Sequence, residues 1–170
     1  SNFTLRDQIK DYWSMRAETF DLEPGHEIFS DREKAAWLRI IKAHLGAGRG
    51  RPALDLACGT SVITHLLDEC GFECIGIDWS EEMLNVAREK SKKRRTQIKF
   101  RIGDAENTME PHESYDVLVT RHLVWTLIDP ARAFAHWYAL LKPGGRVLIV
   151  DGDFVHKTWM DNISKFIDAL

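Results

Sequence analysis

Cysteine is scarce: the chain has three, Cys58, Cys70 and Cys74, in 170 residues. So low and odd a count excludes a disulfide framework, and no two stand as Cys-x-x-Cys, so no structural zinc site and no other metal is expected. No apolar run reaches the ~20 residues that a bilayer requires, and no signal-peptide pattern stands at the N-terminus. An excess of one charge is missing too: 23 Lys and Arg stand against 26 Asp and Glu, a formal net charge of −3. That balance gives no global field toward nucleic acid or an anionic membrane. Repeats and low-complexity stretches are absent. What remains is an ordinary globular composition, 44% hydrophobic and 29% charged, in a length that suits one core. The expectation is a soluble, cytoplasmic protein with no membrane or nucleic-acid partner.

The chain then alternates. Ile9, Tyr12, Trp13 and Arg16 recur at helical spacing and predict an amphipathic helix over residues 5–20. Glu23-Pro24-Gly25-His26 reads as a loop. Ser30 opens a second helix, with Glu33 completing a capping box, Trp37, Ile40, Ile41 and Leu45 as its buried face and Gly46 as its stop. Strands are expected over 53–57, 72–78, 97–103, 115–120 and 146–150. Between them Val62, Ile63, Leu66, Leu67 and Cys70 line a helix that Gly71 ends, and Ser80 caps another to about residue 90. A helix over 129–141 would turn Phe134, Trp137, Tyr138 and Leu141 inward, before a turn at Pro143-Gly144-Gly145. Strands separated by helices require crossovers, hence an α/β, doubly wound, mostly parallel sheet with helices on both faces, preceded by two N-terminal helices.

In such sheets ligands sit beyond the carboxyl ends of the strands, near the point where strand order reverses. After strand one stands Asp55-Leu56-Ala57-Cys58-Gly59-Thr60-Ser61. Gly59 lets a ligand approach the backbone, and Thr60 or Ser61 is placed to cap the next helix. A tight βα turn that uses glycine for geometry alone is the plainer reading. The pattern GxGxxG is absent, and Ala57 and Ser61 would crowd a pyrophosphate, which argues against NAD. Asp78, ending strand two, is placed to accept both ribose hydroxyls of an adenosine, or it is an acid favoured by a helix N-terminus. Trp79 beside it offers a flat face for a purine, or simply packs. Gly103-Asp104-Ala105 after strand three reads an adenine edge or caps a short helix. Thr120-Arg121-His122 after strand four brings His122 as the candidate acid–base group, with His26 in the loop after the first helix as the alternative candidate and a polar loop as the plainer reading.

In this order and spacing the segments resemble the class I S-adenosylmethionine-dependent methyltransferases, and most nearly the group often called methyltransferase type 11. The resemblance covers residues 53–153. It also rests on Ile75-Gly76-Ile77-Asp78-Trp79-Ser80-Glu81-Glu82-Met83-Leu84, Tyr115-Asp116-Val117-Leu118-Val119 and Leu141-Lys142-Pro143-Gly144-Gly145-Arg146. It implies a Rossmann-like strand order 3-2-1-4-5, S-adenosyl-L-methionine as cofactor and a small-molecule methyl acceptor. It further implies that Asp55, Ala57 and Gly59 face the methionine part, Asp78 holds the ribose, and Asp104 and Ala105 contact adenine. Trp79 or Met83 packs on the adenine, and Cys58 and Thr120 are counted with the cofactor-binding residues. The family's usual glycines are replaced by Ala57 and Ser61. Tyr12 through Asp21 is similar to a helical lid in which Arg16 pairs with the cofactor carboxylate and Tyr12 touches its amino-acid end. A helix merely packed on the core is the alternative.

Other branches of the family leave no trace here. The (Asp/Asn)-Pro-Pro-aromatic motif of amino-directed nucleic-acid methyltransferases is missing where Thr120-Arg121-His122-Leu123 stands, and the paired-glutamate loop of protein arginine methyltransferases has no counterpart. Lys90, Lys92, Lys93, Arg94 and Arg95 read as a solvated face at a helix C-terminus. The expected organisation is a helical lid over 1–50, a cofactor-binding core over 51–153 and a C-terminal helix over 154–170. Relatives typically carry two further strands after the fifth, for which no room remains. A chain cut short, or a homodimer through the exposed edge of strand five, is therefore expected. The rival readings are a cofactor-binding module without turnover and a nicotinamide-dependent oxidoreductase.

Overall fold

β1 (Pro52–Leu56) explains the architecture in five residues. Ala53 joins one buried cluster, with Ile41, Leu45, Ile63, Leu66, Val117 and Val119, while Leu54 and Leu56 join another, with Ile77, Leu118, Trp137 and Leu140. Side chains alternate across a strand, so one near-continuous apolar run feeds two cores, one on each face. In this computed structural model, which describes residues 4–23 and 25–152, helices supply the other half of each core. α2 (Asp31–Leu45) and α3 (Val62–Glu69) cover the first face and α5 (Pro130–Leu140) the second. The helix expected over 154–170 lies outside the described residues.

β1 pairs in parallel with β2 (Glu73–Asp78) and β4 (Tyr115–Arg121). β2 pairs with β3 (Lys99–Ile102) and β4 with β5 (Leu141–Val150), both also in parallel. The order is β3-β2-β1-β4-β5, as expected. α4 (Glu81–Arg94) links β2 to β3, and α1 (Leu5–Arg16) lies beside α4.

Several expectations need correction. α1 stops at Arg16 rather than near residue 20, because Ala17 and Thr19 donate to Ser14 and Arg16 carbonyls three residues back, tightening the chain into a 3₁₀ turn over Phe20–Leu22. It buries none of its residues. On α2, Ser30 caps through Glu33 N–H at 3.2 Å and Gly46 ends the helix at φ 74°, but Ile40 faces solvent beside the buried Ile41. On α5 the buried stripe is Ala133, Trp137 and Leu140, while Phe134 and Tyr138 stand outside it, Tyr138 80% exposed. Pro143-Gly144-Gly145 lies inside β5, at a shift of register against β4 between Tyr115 and Val117.

Candidate functional site

Strand order reverses between β1 and β4, and the loops after β1, β2, β3 and β4 meet there over one cleft. It encloses about 980 Å³ of empty space, its open mouth included. Asp55, Ala57, Cys58 and Gly59 form its wall after β1, Asp78, Trp79 and Met83 after β2, Asp104 and Ala105 after β3, and His122 after β4.

The turn after β1 is wound left-handed: Ala57, Gly59 and Ser61 have φ of 56°, 52° and 74°. Ala57 and Ser61 therefore hold a conformation that glycine takes freely and other residues take under strain. At Gly59 a Cβ would meet only Phe20 Cε1, at 3.8 Å, so the glycine is needed for its φ rather than for space. Neither hydroxyl caps α3, contrary to expectation. Thr60 Oγ1 donates to Asp21 Oδ1 at 2.5 Å, and Ser61 Oγ donates to the Thr60 carbonyl.

Three carboxylates are buried in this wall, Asp55, Asp78 and Glu106. Asp78 accepts from Gly59 N–H through Oδ2 and from Ser80 N–H through Oδ1, each at 2.9 Å. Burial nonetheless pushes its carboxyl up to about 6, since desolvation outweighs the amides. Asp55 accepts from Thr64 Oγ1 at 2.6 Å, and burial raises it to about 7.

After β3, Asp104 pairs with the guanidinium of Arg6 and accepts from Glu106 N–H at 2.8 Å. Glu106 is buried and accepts from the Ile128 and Asp129 amides, each at 3.0 Å, tying this loop to the start of α5. The Ala105 carbonyl accepts from Trp137 Nε1 at 2.7 Å. After β4, Arg121 donates to the Gly25 and His26 carbonyls at 3.2 and 2.6 Å. Its half-buried guanidinium thus fixes a loop 95 residues away. His122 follows at φ 59°, its Nδ1 3.9 Å from Asp151 Oδ1. Burial, reinforced by Arg121, lowers its pKa and favours the neutral ring.

Three expected cofactor residues lie outside the cleft wall. Thr120 is buried with its hydroxyl donating to the Leu56 carbonyl at 3.0 Å, which joins β4 to β1. Tyr12 is half exposed and accepts from Arg16 Nη1 at 2.7 Å. Arg16 pairs with Glu23. Trp13, Phe20 and His26 line the cleft in their place. Trp13 was in the same helical stripe as Tyr12 and Arg16, but nothing local distinguishes which of the three turns to the cleft. Lys90 corrects another expectation: only 18% exposed, it reaches Asp21 and Glu27 at 2.6 and 2.7 Å instead of facing water. Among the described residues no helix is long and apolar enough to cross a membrane, and no group of three or more His, Cys, Asp or Glu is arranged to hold a metal.

Comparison with known proteins bears on this cleft directly. The family described as methyltransferase domain matches residues 54–149, from β1 to β5. The demethylmenaquinone methyltransferase of Renibacterium salmoninarum is 27% identical over 143 residues, 82% of this chain and 58% of its own length. The ubiquinone biosynthesis O-methyltransferase of Methylococcus capsulatus is 32% identical over 111 residues, 65% of this chain and 46% of its own. The structure of Haemonchus contortus phosphoethanolamine N-methyltransferase 2 in complex with S-adenosyl-L-methionine is 25% identical, with a TM-score of 0.70 over 82% of this chain and 34% of that one. The chain spans about half the length of the curated relatives it matches. With the family match covering more than half of its residues, from within β1 to within β5, the chain belongs to the methyltransferase domain family.

Proposed function

We propose that the cleft binds S-adenosyl-L-methionine and that the protein transfers its methyl group to a small-molecule acceptor. Asp78 carries this reading. Its oxygens accept the Gly59 and Ser80 amides, and the Trp79 amide also favours its charged form, yet a carboxylate has about four acceptor sites, so capacity remains at the cleft for ribose hydroxyls. A buried carboxylate raised to about 6 gains most from such donors. Asp55, buried and raised to about 7, suits the cationic amino end of the cofactor, and Trp79 and Met83 offer apolar faces for adenine. Cys58, Ala57 and Gly59 present the left-handed turn along the methionine part, and Asp104 and Ala105 stand at the adenine edge. The residues present fit the cofactor, which when bound supplies a methyl group activated on a sulfonium.

The chain's own contribution is alignment and exclusion of water. Residues 1–50 act as the lid. α1 buries no side chain of its own and is held across the cleft by Arg6 on Asp104 and Ser14 on Ser80. A small acceptor is favoured over nucleic acid because net charge is −3 and Lys90 is consumed by Asp21 and Glu27. Val147 and Ile149 on β5 are 38% and 42% exposed, an edge that a second copy would cover; sedimentation at rising concentration tests it.

Calorimetry tests the cofactor assignment. Asp78→Ala should lose ~2–3 kcal/mol of S-adenosyl-L-methionine affinity, the value of a charge-assisted bidentate contact. Unchanged affinity, or tight binding of NAD by the wild type, overturns it.

A further inference from the structure

His26 is held from three sides. Its ring stacks on Phe20, with centroids 4.1 Å apart and planes at 12°. Its backbone carbonyl accepts from Arg121 Nη2 at 2.6 Å. Its Nδ1 lies 3.0 Å from the Phe20 carbonyl and 3.8 Å from Glu23 Oε2. A carbonyl only accepts, so the bond requires a proton on Nδ1, and the neutral ring then carries its lone pair on Nε2. The same ring lines the cleft, 6.0 Å from the ring of His122. Fixing one tautomer through a hydrogen bond on the far nitrogen is how an imidazole is prepared as a base.

We propose that His26 is the general base of methyl transfer, and that the acceptor is a hydroxyl carried on a flat, apolar ring. The inference rests on the cofactor reading above. A hydroxyl is a weak nucleophile until it loses its proton, whereas an amine acceptor attacks with a lone pair already in place, so a prepared base selects for oxygen. The ring follows from the walls beside His26, where Trp13 and Phe20 meet edge to face at 5.9 Å and Leu123 and Leu127 complete an apolar surface. In the step, the acceptor O–H bond breaks and its proton passes to Nε2. The oxygen forms a bond to the methyl carbon, and the sulfur–methyl bond breaks with its electron pair kept by sulfur. The products are the methyl ether, the neutral thioether and an imidazolium whose Nδ1–H still faces the Phe20 carbonyl, with Glu23 nearby. Arg121 acts as a positioning residue through the His26 carbonyl.

The tautomer is read without turnover. Long-range ¹H–¹⁵N correlation on the labelled chain should show His26 protonated at Nδ1 and bare at Nε2; protonation at Nε2 overturns the proposal. With catechol as acceptor, His26→Gln should lower kcat by roughly a hundredfold or more while calorimetry shows S-adenosylhomocysteine affinity within about twofold of wild type, since the base touches the acceptor and not the cofactor. Unchanged kcat overturns the base. A wild-type chain that binds S-adenosylhomocysteine but leaves catechol unmethylated overturns the hydroxyl class. Failure of the wild type to bind S-adenosylhomocysteine overturns the cofactor reading instead, with the tautomer still measured on the free protein.

Discussion

Ala57 and Gly59 stand two residues apart in the same left-handed turn and carry opposite side-chain choices. An L residue with a Cβ in that region costs roughly 1–2 kcal/mol, and glycine gives back about 0.5–1 kcal/mol of that through its greater freedom in the unfolded chain. Ala57→Gly should therefore raise stability by about 0.5 kcal/mol, the reverse of the usual sign for this exchange. Gly59→Ala should lower it by about the same 0.5 kcal/mol through backbone conformation alone, because the new methyl meets only Phe20 at 3.8 Å. Urea unfolding of both variants checks the pair. Destabilisation by Ala57→Gly would mean that the turn is set by contacts of the alanine methyl rather than by backbone conformation. Asp78 adds a pH signature at the same scale. Its carboxyl titrates at about 6 in the free protein, and ribose hydroxyls favour the ionised form. Cofactor affinity should then rise with pH up to about 6 and level off above it, and affinity that falls across this window would remove Asp78 from the contact.

At the scale of elements, the segment between α1 and α2 is fastened by charge. Asp21 takes Thr60 Oγ1 and Lys90 Nζ, and Lys90 also takes Glu27. Burial raises the Glu27 carboxyl, but the bond and charge of Lys90, with the Ile28 amide and Arg94, together outweigh it and hold the group low. Lys90→Met leaves two partly buried carboxylates without their shared cation. Amide exchange over residues 17–30 should accelerate about tenfold, equivalent to ~1.4 kcal/mol, with the amides of β1 and β4 unchanged. Equal protection in the variant would show that apolar contacts hold the segment. None of this fastening is legible in the sequence. Lys90 looks like one member of a basic run, and its partners lie 63 and 69 residues away in a stretch of ordinary loop composition. Arg6 to Asp104, 98 residues apart, is the same case. The strands and their ends are legible because a βα unit has local signs: an apolar run, a turn former, a capped helix. Helix faces are only half legible. In α5, Trp137 and Tyr138 are one step apart in the chain and about 100° apart round the helix, so apolar spacing alone admits both stripes, and the sheet accepts the one with Ala133 and Leu140.

For the whole molecule, the site is a net liability to the fold, and pH exposes it. Asp55 holds its proton to about 7 in the folded chain, against ~3.9 for an unfolded aspartate. Between those values the folded state binds more protons than the unfolded one, so this group's contribution to stability falls as pH rises through the window. Asp78, at about 6, has the same sign. His65 has the opposite one: buried, it titrates at about 4, against ~6.5 when unfolded. The unfolded state therefore binds the extra proton, and stability is regained as pH rises from 4 to 6.5. The two carboxylates together outweigh the one histidine, so wild-type stability should fall on balance as pH rises from 4 to 7. Asp55→Asn separates them, because an amide of the same shape keeps an acceptor for Thr64 but has no charge to desolvate. The variant should be more stable than wild type, by a margin that grows about 2–3 kcal/mol between pH 5 and pH 8. Urea unfolding at the two pH values reads this directly. A margin that does not change with pH would mean that Asp55 is ionised throughout and that its burial is compensated within the protein. The same variant should bind S-adenosyl-L-methionine more weakly, having lost the carboxylate proposed to meet the cofactor's cationic end. A chain that gains stability and loses affinity in one substitution is the expected behaviour of a charge kept in a cleft wall for its ligand.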